Sequence, residues 1–183
     1  KADVGISGNY IKDIGDLTNS SAAKVIDAAG HMVSPGFIDL TNHADTYATI
    51  FSNPLQDSMV RQGVTTVLFG NCGESLAPIT RKETLLGLNK WIATSAINLD
   101  WNSMSEYYDV LRDLRPGVNV ASLVGHETLR RNTVAADEMG VLLESAMMQG
   151  AWGLSSNFSF RDWGVALGET TKLLKVVKNF GGL

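Results

Sequence analysis

Cysteine is almost missing from this chain: Cys72 stands alone among 183 residues. One thiol excludes an internal disulfide and favours a reducing compartment, so a cytoplasmic location is expected. Positive charge is also scarce, with 15 Lys and Arg against 19 Asp and Glu and a formal net charge of −4. That balance leaves no basic footprint for nucleic acid. No apolar run nears the roughly 20 residues of a membrane-spanning helix. Lys1 leads straight into strand-like alternation rather than into a basic-then-apolar leader. Neither nucleic acid nor membrane is therefore an expected partner, and homo-oligomerisation is left open. No solenoid repeat or low-complexity segment occurs, and no G-x-G-x-x-G follows the first strand of the main rhythm, which weakens a dinucleotide-binding reading.

What is present is ordinary for a globular chain: 44% hydrophobic and 19% charged residues, in a length that can bury a core. Both ends read as cuts in a longer protein. The chain begins at Lys1 and stops at Gly181-Gly182-Leu183, a helix-ending glycine pair and one further residue.

Residues 3–34 read as antiparallel strands and turns. Val4 and Ile6 alternate with small or polar neighbours, Gly8-Asn9 signals a hairpin, and Tyr10 to Ile14 resumes the apolar pattern. Asp16 to Ala23 suits a loop, and Val25-Ile26 begins another strand. A strand–loop–helix rhythm then sets in. Val33 to Leu40 is its first strand. Asn53-Pro54 starts a helix with Pro at the first helical position, which Gly63 stops. Val64 to Phe69 is a β-branched run suited to burial on both faces. Helices are expected over 82–93 and 103–113, the second with Ser103 and Glu106 in capping-box spacing. Val118 to Val124 is the third strand, Asp137 to Gln149 a helix, Ala151 to Leu154 the fourth strand and Thr170 to Phe180 the last helix. Such an order implies a parallel sheet, either doubly wound or a TIM barrel.

Each strand ends in polar residues: Thr41, Asn42, His43 and Asp45; Asn71 and Cys72; His126 and Glu127; Ser155, Ser156 and Asn157. In a barrel all four ends would share one face. Imidazole, thiolate and carboxylate gathered there suit zinc. Blander readings stand beside that one. His43 reads equally as a loop-capping residue, Cys72 as an inert buried thiol and His126 as a ring bonded to backbone. Ser155 and Ser156 read as loop residues rather than nucleophiles, because no histidine base lies near them in sequence. Trp91, Trp101, Tyr107 and Met147 read as packing, whereas Trp152 and Trp163 could shape a pocket.

These residues resemble a known family. Val33-Ser34-Pro35-Gly36-Phe37-Ile38-Asp39 and the histidine-bearing turn after it resemble the first barrel strand of the amidohydrolase superfamily. Three further stretches are similar to its D-aminoacylase branch, the N-acyl-D-amino-acid deacylases. They are Gln62 to Val67 with Gly70-Asn71-Cys72-Gly73, Asn119 to Gly125 with His126-Glu127-Thr128-Leu129-Arg130, and Gly153-Leu154-Ser155-Ser156.

The resemblance implies a (β/α)8 TIM-type barrel with about its first four βα units in residues 33–183. Residues 1–32 would be part of a small β-sandwich. It implies a zinc-dependent hydrolase with one or two ions, taking a small-molecule N-acyl-D-amino acid and removing its acyl group. His43 and Cys72 become metal-site residues, with Asn71, His126 and Ser155 as nearby shell or substrate-binding candidates. In this branch cysteine takes the place that a carbamylated lysine holds in hydantoinase-like relatives. The fourth strand here has no lysine, which disfavours a cyclic-amide hydrolase. One departure stands out. The usual His-x-His of the first turn is Thr41-x-His43, which raises the alternative of a catalytically degenerate binding or structural protein. The catalytic aspartate is expected beyond residue 183.

Overall fold

The computed structural model describes residues 1–81, 84, 87, 98–157 and 163–183. The helix expected over 82–93, Trp91 included, lies outside the described residues but for positions 84 and 87, and the side chain of Trp163 lies outside them as well. The chain divides into two compact units, Lys1–Pro35 and Gly36–Leu183.

In the first unit, β1 (Asp3–Ser7) and β2 (Tyr10–Gly15) form an antiparallel hairpin that turns at Gly8-Asn9. Gly8 has φ +59°, a conformation open to glycine at little cost. The strand expected from Val25-Ile26 does not form. Both side chains are exposed, and no strand pairs with them among the described residues. Apolar neighbours make a strand only where another edge takes up their backbone hydrogen bonds.

The second unit is built on parallel strands. β3 (Phe37–Asp39), β4 (Val64–Phe69) and β5 (Asn119–Ser122) pair in that order. β6 (Val124–Gly125) follows β5 after Leu123 alone and pairs in parallel with β7 (Leu154–Ser155). The expected third strand is thus β5 and β6 together, and it changes neighbours within its length. The Leu123 N–H still donates to the Phe69 carbonyl (2.9 Å), whereas the Val124 N–H donates to Gly153 (2.9 Å).

Two strands are displaced from their expected bounds for backbone reasons. Pro35 has no N–H to give, so ladder bonding toward β4 opens at Phe37, whose N–H donates to Gly63 (2.8 Å). Ala151 is held to the preceding helix by its bond to Ala146 (3.0 Å), so the fourth strand falls at 154–155. In β4 three successive residues, Val67, Leu68 and Phe69, are buried, which makes its end a strand covered on both faces.

A helix starting at Pro54 is not what forms. Two single turns flank it, α1 (Thr49–Ser52) and α2 (Asp57–Val60). A residue before proline is pushed out of the helical region, and Asn53 ends α1 at φ −138°, ψ 75°. Next comes α3 (Met104–Leu114), with its capping box in place. The Glu106 N–H donates to Ser103 Oγ (3.3 Å), and the Ser103 N–H donates back to Glu106 Oε2 (3.0 Å). α4 (His126–Asn132), α5 (Ala136–Met148) and α6 (Trp163–Asn179) follow, the last beginning before the expected residue 170.

Trp101, Tyr107 and Met147, read from the sequence as packing residues, are buried, and Trp152 is exposed. Trp101 stacks on Phe51 with ring centroids 5.8 Å apart and donates its indole N–H to the Leu76 carbonyl (2.7 Å). Truncating such a ring costs about 3–5 kcal/mol. This core lies beside β4 and so fixes the strand whose end carries Cys72. Among the described residues no helix is long and apolar enough to cross a membrane.

Candidate metal centre

At the end of β3 the chain makes a tight polar turn. Asn42 is buried and spends its amide on that turn. Its Nδ2 donates to Asp39 Oδ2 (2.8 Å), and its Oδ1 accepts the Ala44 N–H (2.9 Å). Thr41 is exposed, and its N–H donates to Asp39 Oδ1 (3.2 Å). Asp45 is fully buried and accepts the Gly70 N–H on Oδ2 (2.9 Å). Burial pushes its carboxyl up to about 6, against the Gly70 and Thr46 N–H groups that favour the anion.

His43 stands half-buried in this turn, with Nε2 3.6 Å from Cys72 Sγ. Its Nδ1 lies 3.4 Å from Thr46 Oγ1, and that hydroxyl donates to the His43 carbonyl (3.4 Å). Nε2 is therefore the ring nitrogen that faces Cys72, with the Thr46 hydroxyl beside the other.

The Gly70–Gly73 loop after β4 presents the thiol. Gly70 has φ +73°, and a Cβ there would drive into the Leu123 carbonyl, so only glycine fits. Cys72 is exposed and takes the left-handed conformation at φ +56°. Around it the backbone is tied on several sides. Asn71 Nδ2 donates to the Asn42 (3.1 Å) and Leu68 (2.7 Å) carbonyls. Ser155 Oγ donates to the Gly70 carbonyl and accepts the Gly73 N–H (2.9 Å). The Gly73 carbonyl accepts the Glu127 N–H (2.9 Å), and a Cβ at Gly125 would collide with that same carbonyl. Residues from the ends of β3, β6 and β7 thus hold the loop that ends β4.

His126 belongs to a different cluster. It is the first residue of α4, is 1% exposed and has both ring nitrogens engaged. Nδ1 lies 3.0 Å from Ser156 Oγ and Nε2 3.0 Å from Glu169 Oε2. Arg130 forks onto the same carboxylate oxygen, with Nε at 2.6 Å. A histidine does therefore lie beside Ser156, brought there from 30 residues away. Serine, histidine and carboxylate stand in the order of a nucleophilic triad. The ring is buried, however, and Arg130 already neutralises the carboxylate that would have to stabilise an imidazolium. The cluster joins β7 to α4 and α6.

His43 and Cys72 fit a tetrahedral zinc ion. Donors at the usual Zn–N and Zn–S distances, subtending a tetrahedral angle, sit about 3.5–3.6 Å apart, which is the separation seen. Among the described residues no group of three or more His, Cys, Asp or Glu gathers to hold a metal, and His43 and Cys72 are the pair brought together there. Asp45 is a strand-end residue and Ser155 a shell candidate that the sequence marks, but the partners of both, and Glu169 of the His126 cluster altogether, are not given by sequence spacing. Their partners lie 25, 82 to 85 and 39 to 43 residues away.

Comparison with known proteins gives the chain's family. The family model described as the amidohydrolase family matches residues 24–172. D-aminoacylase of Alcaligenes xylosoxydans xylosoxydans is 37% identical over 166 residues, covering 85% of this chain and 34% of that enzyme. N-acyl-D-glutamate deacylase of the same organism is 36% identical over 91% of this chain and 35% of its own length. Among solved structures, a D-aminoacylase matches with a TM-score of 0.83 at 36% identity, over 99% of this chain and 40% of that one. The N-acyl-D-glutamate deacylase of Bordetella bronchiseptica, solved with zinc and a phosphonate mimic of the tetrahedral intermediate, matches with a TM-score of 0.81 at 31% identity, over 98% and 39%. The chain spans about a third of the length of the curated relatives it matches. With the family model covering most of its residues, the chain belongs to the amidohydrolase family, and its similarity runs to the D-aminoacylase branch.

Proposed function

We propose that the full-length protein carrying this chain is a zinc-dependent hydrolase that removes the acyl group from N-acyl-D-amino acids. The observation that carries this reading is the 3.6 Å approach of His43 Nε2 to Cys72 Sγ on a loop fastened from neighbouring strand ends. The D-aminoacylase and deacylase relatives supply the substrate class. When bound, zinc supplies Lewis acidity toward an amide carbonyl and acidifies water near neutral pH. His43 would hold the ion through Nε2, with the Thr46 hydroxyl beside its Nδ1. Cys72 would hold it as thiolate. The remaining ligands and the carboxylate that moves the proton are expected from residues after Leu183.

In this reading the Gly36–Leu183 unit is about the first four βα units of a (β/α)8 barrel. The sequential, all-parallel pairing supports it. Residues 1–32 are then part of a small β-sandwich, and a cytoplasmic location suits an exposed unpaired thiol.

A second reading, a catalytically degenerate relative, is favoured by one observation. Thr41 stands where the branch carries a first histidine, and the buried Asn42 amide is committed to its own turn. Zinc content separates the two. The full-length protein should bind zinc stoichiometrically and deacylate N-acyl-D-amino acids, and Cys72→Ala should lose both. Zinc content and amide hydrolysis that survive that substitution would overturn the assignment.

A further inference from the structure

We infer that Ser155 is a positioning residue for the Cys72 thiolate, acting as a clip across the mouth of the Gly70–Gly73 loop. The inference rests on the metal reading above and names the side chain that sets its geometry. A single hydroxyl spans the loop. It donates to the Gly70 carbonyl and accepts the Gly73 N–H at 2.9 Å, one bond on each side of Cys72. Both capacities of the oxygen are used on the same four residues, so the bonds fix the separation of the loop's two ends as well as its place. Within that closed span Cys72 holds φ +56°, a conformation that an L-residue abandons when its surroundings slacken.

The clip is itself anchored. Ser156, the next residue, bonds the buried His126 ring at 3.0 Å, and that ring bonds Glu169, which Arg130 holds. On the far side Asp45 fixes the Gly70 N–H. Removing the Ser155 hydroxyl leaves one carbonyl and one N–H at the loop ends without their bridge, while Cys72 itself is untouched. The expected result is a thiolate less well aimed rather than a ligand lost.

Threonine and valine at position 155 provide the test, because they differ only in the hydroxyl and share any cost of the extra methyl. In the full-length protein, Ser155→Val should weaken zinc by about 10–100-fold in chelator competition, the usual cost of losing an outer partner of a ligand. Ser155→Thr should stay within a few-fold of the unmodified protein. With cobalt as probe, the thiolate-to-cobalt charge-transfer band should weaken or shift in the valine variant and persist in the threonine one. Ser155→Ala reports the same loss if the valine variant does not fold. Equal zinc affinity and equal cobalt spectra with and without the hydroxyl would overturn the role of Ser155, provided that Cys72→Ala abolishes the band. If Cys72→Ala leaves the band and the affinity intact, the metal reading falls and the inference falls with it.

Discussion

His43 and His126 are the same side chain at the ends of parallel strands, put to opposite uses. His43 is half-buried, gives Nδ1 to a local hydroxyl and turns Nε2 toward a thiol 3.6 Å away. His126 is sealed in, with a serine on one nitrogen and an arginine-paired carboxylate on the other. A metal ligand needs a nitrogen not already held by oxygen partners and an open side, and of these two rings it is His43 that has both. The lesson is about competition. Residue type and strand-end position nominate a ligand, and the groups already bonded to its nitrogens decide the outcome.

Exchanging the two histidines for alanine gives the sharpest test of that contrast, because the effects should cross. His43→Ala should weaken zinc by more than about 100-fold, beyond the loss of an outer partner, and change the stability of the metal-free protein by no more than about 0.5 kcal/mol. His126→Ala should cost about 3–4 kcal/mol in urea unfolding, combining a cavity with two lost buried hydrogen bonds, and change zinc affinity by less than about tenfold. Parallel effects of the two substitutions would erase the distinction.

A smaller effect belongs to Asp45. Asp45→Ala orphans the buried Gly70 N–H and should cost about 1–3 kcal/mol, whereas Asp45→Asn keeps an acceptor there and should cost about 1 kcal/mol or less.

The smallest effect is a control away from both histidines. The carboxylate of Glu106 is held below its usual range by the Asn102 and Ser103 N–H groups it caps. A carboxyl depressed in the folded state stabilises above its unfolded pKa and loses that contribution as pH falls through the folded value. The melting-temperature gap between the unmodified protein and Glu106→Gln should therefore be constant near neutrality and narrow below about pH 4.5. Zinc affinity should not follow it.

Local physics was legible in the sequence. The Gly8-Asn9 hairpin, the β-branched run of β4 and the Ser103–Glu106 box each depend on residues within a few positions of one another. So did the marking of His43 and Cys72 as strand-end donors, although only the structure brings them together. Misread elements turned on competition between local rules. At Asn53-Pro54 the constraint on the residue before proline closes α1, while left-handed Gln56 (φ +49°) delays the next helix to Asp57. Val25-Ile26 has strand character and, among the described residues, no strand pairs with it. Ser155 and Asp45 were marked only as strand-end residues and their partners were not legible, because they act across 25 to 85 residues; Glu169 carried no signal at all, 43 residues from His126. Gly70 carried a faint signal, a glycine where an apolar strand turns directly into polar residues.

The left-handed backbone of Cys72 has an evolutionary consequence. A side chain at φ +56° costs roughly 1–2 kcal/mol that glycine at the same position would not. Mutation toward glycine, or toward the tolerant asparagine, is therefore downhill in folding free energy and is opposed only by selection for what the thiol does. In a lineage that gave up the chemistry, position 72 should drift quickly to those residues. Relatives that keep cysteine there maintain it against a gradient, so the residue at this one position serves as a running record of whether the site is still in use.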